Sequence, residues 1–207
     1  MNMLKKAAAG VMAVVLLMGS SGCSKRLTFE KITDVAEQCG LEKTDDIDRV
    51  AKDIYGEQDY NELIYISTND SNEAQRIYDE IYNKSNTYPK AEVKAAAVMY
   101  SNVINSDGKP VNEYAFMFTF KSKKKAEDFY TRTEEGYHIL DHEEGKDKYN
   151  YTIFTARSEK GMSLMGMYLD GSAVLYLTGN GYKKSDFALI DCCCREMDIK
   201  SPETALK

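Results

Sequence analysis

Tryptophan is absent from this chain, proline occurs three times and histidine twice. Three prolines cannot build a proline-rich stalk or punctuate a linker, so nothing in the composition divides the chain into two domains. With only His138 and His142 there is no His-Glu-x-x-His helix, and the cysteines offer no pair at zinc spacing. No oxygen-rich calcium loop and no glycine-rich phosphate loop occurs, and Ser163 lacks a nucleophile-elbow context. These absences remove the common metal, nucleotide and serine chemistries, and they leave no catalytic residue and no cofactor to expect.

Long apolar runs are also scarce. The single one, Ala7 to Met18, is too short to cross a hydrocarbon core of roughly 30 Å as a helix. Lys5 and Lys6 precede it and the small residues Gly19-Ser20-Ser21-Gly22 follow, which is the layout of an export leader over residues 1–22. The stretch ending at Cys23 resembles the lipobox of bacterial lipoproteins, with Ser20 where that motif carries leucine. The resemblance implies cleavage before Cys23, acylation of its thiol and attachment to the bilayer. Acyl chains anchor strongly because each buried methylene contributes about 0.8 kcal/mol.

Removing Lys5 and Lys6 with the leader takes the basic residues from 27 to 25 against 33 acidic ones, a net charge of −8. Phosphate polyanions and anionic lipid headgroups both repel such a body, so neither nucleic acid nor electrostatic docking on a membrane is expected, and the anchor is the attached lipid itself. Residues 23–28 form a short tether, 29–198 a single extracytoplasmic domain, and 199–207 a polar tail expected to be flexible.

A strand-then-helix unit is written twice. Ile64, Ile66, Ala74, Ile77 and Tyr78 match Phe116, Phe118, Ala126, Phe129 and Tyr130 at a constant offset of 52. In each copy apolar residues alternate, a polar turn follows, and the period becomes helical. Around these copies, Thr28 can cap a helix ending at Cys39-Gly40-Leu41, and Thr44 to Gly56 reads as a second, acidic helix. Asp70 with Glu73 opens a helix over Ser71 to Asn83, and Asn105-Ser106-Asp107-Gly108 is a hairpin turn. The predicted strands are Asn61 to Thr68, Ala96 to Ile104, Asn112 to Phe120 and Tyr149 to Ala156, with a helix over Lys123 to Glu135. The fold class is therefore α+β. Duplicated β-α-β units suggest a ferredoxin-like sandwich whose antiparallel sheet is covered on one face by helices, with an extra C-terminal hairpin and helix. A lipid-anchored chain opening with an amphipathic helix that ends in Cys-Gly-Leu is similar to small lipoproteins of unknown function common in Gram-positive bacteria, a likeness that brings no catalytic residue with it.

Four features could carry chemistry. His138 and His142, with Asp141, Glu143 and Glu144, hold ligand types that suit a divalent metal. Gly136 and Gly145 bracket them as a loop, and a solvated acidic loop is the plainer reading. Cys192-Cys193-Cys194 on a helix point about 100° apart and cannot converge on one metal. They either pack as small apolar residues or send one member to Cys39 as a disulfide. Lys121 and Lys123 to Lys125 form a basic run that could touch headgroups or pair with Glu127 and Asp128. Finally, the hairpin of residues 162–178 is apolar on both faces. Met165, Met167, Val174 and Tyr176 on one face could form a contact surface for a protein partner or a second copy, unless the hairpin is sandwiched inside the fold.

Overall fold

The computed structural model describes residues 27–55, 62–84, 90–137, 142–146 and 148–205. Cys23 and the leader lie outside them, as does His138.

Local rules explain the first elements. Helix α1 is Phe29–Gln38, and the Thr28 side chain accepts the Lys31 N–H at its start. Its end is a left-handed stop: Gly40 has φ +79°, and the Leu41 N–H returns to the Ala36 carbonyl at 3.1 Å. Leu41 is buried against the helix it closes. Strand β1 (Glu42–Lys43), helix α2 (Ile47–Tyr55) and strand β2 (Glu62–Thr68) follow.

The repeated unit forms as a strand–helix corner in both copies. The first is β2 with α3 (Ser71–Ile77), which runs on as one π-helical turn, Tyr78–Tyr82. The second is β4 (Pro110–Phe120) with α4 (Lys123–Glu135). The N-caps are Asp70 and Ser122, themselves 52 apart, and each side chain accepts a first-turn N–H. All five matched pairs of apolar residues are buried in one core.

Strand pairing departs from the ferredoxin-like expectation. The remaining elements are β3 (Val93–Ile104), β5 (His142–Lys146), β6 (Asn150–Ser158), β7 (Gly161–Asp170), β8 (Ala173–Gly181) and α5 (Ala188–Met197). Among the described residues the eight strands make one sheet in the order β1-β2-β3-β4-β8-β7-β6-β5, antiparallel except for β1 with β2. In the first copy β2 lies directly beside β3, whereas in the second β8 and β7 stand between β4 and β6. The hairpin expected as an appendage is thus the middle of the sheet. Its two apolar faces fit this placement, because helices cover the sheet on both sides there.

The sheet is also covered on both faces, not one. On the first face α2, α3 and α4 pack over Ile64, Val98, Phe116, Phe118, Val174 and Tyr176. Phe118 meets Tyr82 at 5.1 Å and Tyr78 at 5.2 Å between ring centroids, in edge-on geometry. On the second face α1 and α5 cover Tyr65, Met99, Met117, Leu164 and Leu175.

Two further expectations change. The segment 136–148 contains an edge strand, β5, which pairs with β6. The tail from Ile199 is held to the body: Pro202 is buried, and the Tyr168 hydroxyl donates to the Lys200 carbonyl at 2.5 Å.

Candidate functional site

The hairpin surface expected from the sequence is core. Met167 and Val174 are wholly buried, Tyr176 is 4 % exposed, and Met165 is partly buried against them. This face is covered by α4 and by Tyr82 of the π-helical turn, whose ring stands 5.8 Å from that of Tyr176.

Of the two histidines, His142 sits on the edge strand β5, where Nε2 lies 3.0 Å from Glu144 Oε1 and the ring packs on Phe154. Glu143 is paired with Lys200 and also receives the Tyr151 hydroxyl. Among the described residues no group of three or more His, Cys, Asp or Glu side chains converges as for a metal ion.

The cysteine triplet divides as helical geometry requires. Cys192 bridges to Cys39 across 153 residues with the Cα atoms 5.9 Å apart, joining the end of α1 to α5. Cys193 and Cys194 are buried thiols; burial raises both pKa values, Cys194 to about 12, so neither offers a thiolate near neutral pH.

What the sequence did not flag is a cleft at the end of the sheet bearing the β3–β4 turn. Leu63, Ser101, Glu113 and Gly179 form a row across β2, β3, β4 and β8 on the α1/α5 face. The opening, about 440 Å³, is walled by Leu63, Val103, Val111 and Leu189 and rimmed by Asn105, Lys183 and Asp186. Cys39 contributes to the wall, so the disulfide fixes one side.

Glu113 forms the floor and is 0 % exposed. Its Oε1 accepts the Leu189 N–H at 3.1 Å and its Oε2 accepts the Ile190 N–H at 2.8 Å. Phe187, the residue before α5, supplies no side-chain cap, so a carboxylate from β4 serves two of the orphan amides of that helix. This requires α5 to lie close on the sheet. Gly179 permits it, since a Cβ there would meet Ile190 Cδ1 at 3.0 Å and Phe187 Cδ1 at 3.1 Å. Burial outweighs the two amide bonds and raises the Glu113 pKa from 4.5 to about 7. On the rim, Asp186 Oδ2 takes the N–H groups of Tyr182 and Lys183 at 2.8 and 3.1 Å and the Asn105 side-chain amide at 3.1 Å. Lys183 reaches Asp107 at 2.9 Å, which ties the β3–β4 turn to the start of α5.

No protein family matches this chain. No curated protein matches it either. Among solved structures, the crystal structure of the extracellular domain of PknH from Mycobacterium tuberculosis is similar at a TM-score of 0.41 and 10% identity, over 84% of this chain and 96% of that one.

At the opposite end of the sheet the chain enters the fold. The Leu27 N–H donates to Asp170 Oδ2 at 3.0 Å, beside a second opening of about 520 Å³ lined by Phe29, Lys94 and Ala173. None of the described helices is long and apolar enough to cross a membrane.

Proposed function

We propose that this chain is a lipoprotein held at the outer face of the cell membrane through Cys23, and that its body is a non-catalytic binding module whose partner, a protein segment, seats in the cleft over Glu113. The observation that carries the reading is the polarity of the body: the chain enters at Leu27 on one end of the sheet, and the cleft opens at the other. A module tethered by a few residues presents its far end to whatever approaches from outside. The Cys39–Cys192 bridge supports an oxidising compartment, as the export leader does. Leu63, 41 % exposed in the cleft wall, gives the opening an apolar contact point reachable from solvent.

A second reading, a small ligand in the same cleft, is favoured by the 440 Å³ volume, which lies within the range of about 300–1,000 Å³ usual for such sites. One experiment separates them. A photoreactive residue replacing Leu63, compared with one replacing Lys146 on the edge strand, is irradiated in intact cells. A discrete protein adduct at 63 and none at 146 supports the module reading. No adduct at 63, together with a small molecule retained in native mass spectrometry, transfers the site to the second reading. A Cys23→Ala protein that still resists extraction from membranes by alkaline carbonate would refute the lipid anchor.

A further inference from the structure

The end of the sheet where the chain enters carries a concentration of lysines drawn from separate parts of the sequence. Asp170 accepts the Leu27 N–H, and two residues later the Ser172 carbonyl accepts the Phe120 N–H at 2.8 Å, so Lys121 follows directly beside the entry point. Lys123, Lys124 and Lys125 form the first turn of α4. Lys94 lines the same opening as Leu27 and Asp170, and Lys90 shares a small recess with Lys125. All six lysines are exposed. Among the carboxylates nearby, Glu92 is paired with Lys121 at 3.1 Å and Glu127 with Lys123 at 3.3 Å, Asp170 is engaged by backbone, and Glu30 and Asp128 line the same two openings as Lys94 and Lys125, so the face stays cationic by its excess of lysines. In the sequence, Lys25 and Arg26 stand between Cys23 and Leu27.

The four steps from Cys23 to Leu27 span at most about 14 Å when fully extended. That reach keeps the entry end of the domain close to the bilayer surface, where charges interact within a screening length of about 8 Å at physiological salt. We propose that this lysine face rests on anionic phospholipid headgroups and orients the anchored domain, holding the Glu113 cleft away from the membrane although the body as a whole is acidic. The inference rests on anchoring through Cys23.

The mature chain, coupled through the Cys23 thiol to a maleimide lipid, is placed on vesicles of phosphatidylcholine alone or with about a third phosphatidylglycerol. Acetylation of each lysine is then timed by mass spectrometry. Lys94, Lys121, Lys124 and Lys125 are expected to react roughly threefold or more slowly on the anionic vesicles, an effect that salt above about 0.5 M removes. Lys109 and Lys160, at the cleft end, keep one rate on both. Equal slowing at the two ends, or none at either, overturns the proposal. Because the attachment is chemical, the outcome is independent of acylation in the cell; an unmodified Cys23 in the peptide isolated from cells would sink the anchoring reading alone.

Discussion

Replacing Glu113 by glutamine should change how stability depends on pH more than it changes the fold. In the folded protein the carboxyl titrates near 7, against an ordinary 4.5. Between these values the folded state holds a proton that the unfolded chain has released, so stability falls as pH rises from about 4.5 to about 7 and is flat on either side, as far as this group is concerned. At 1.36 kcal/mol per pH unit the loss is about 3 kcal/mol. Glutamine does not titrate, keeps the shape, and offers one acceptor to the Leu189 and Ile190 amides as the protonated acid does. Urea unfolding of both proteins with the disulfide intact, in steps from pH 4.5 to 8, isolates the effect, because every other titrating group is common to the two. The variant should gain about 3 kcal/mol on the parent across the series, or about 1.5 M in midpoint at a slope of roughly 2 kcal/mol per molar. Parallel profiles would show that Glu113 titrates as an ordinary surface carboxylate, and the account of the cleft floor would be wrong.

Other substitutions test the packing. Phe118→Ala empties a site ringed by Tyr78, Tyr82, Phe116, Phe120 and Phe129, and should lower stability by about 3–5 kcal/mol in thermal unfolding, against much less for the partly exposed Met165→Ala. Gly179→Ala drives a methyl against Ile190 and Phe187; a loss of about 1–3 kcal/mol is expected, with faster amide exchange at Leu189 and Ile190 as α5 lifts from Glu113. Cys39→Ser removes a bridge closing 153 residues, and urea unfolding should register a loss of about 3–5 kcal/mol.

The parts of the fold legible in the sequence are those fixed by near neighbours. Thr28, Asp70 and Gly40 act through hydrogen bonds and dihedral angles within a few residues, and Asn105-Ser106-Asp107-Gly108 makes its turn from its own chemistry, with the Gly108 N–H on the Asn105 carbonyl at 2.9 Å. The repeat showed the two strand–helix corners for the same reason. Strand order was not legible, because it depends on which apolar faces find each other across a hundred residues. The hairpin of β7 and β8 carried one usable signal, apolar residues on both faces, which helices on each side of the sheet satisfy. Strand β5 was hidden because His142-Glu143-Glu144-Gly145-Lys146 has no apolar residue to alternate. Glu113 was hidden differently. Val111, Ala115 and Met117 share its parity and are buried on the second face, so a charged residue in inward register was visible in principle. Phe116 and Phe118, the residues of that strand that stood out through the repeat, lie on its other face and drew the reading away from it.

The covalent link between the end of α1 and α5 also sets where mechanical load travels. Were the protein pulled apart from its N-terminal and C-terminal sides, the load would enter at Leu27, run down α1, cross to Cys192 and leave along α5, so residues 40–191, with every described strand among them, lie in a covalently closed loop off that path. Under such a load the sheet that floors the cleft would keep its shape, and a reductant would put it in series with the force.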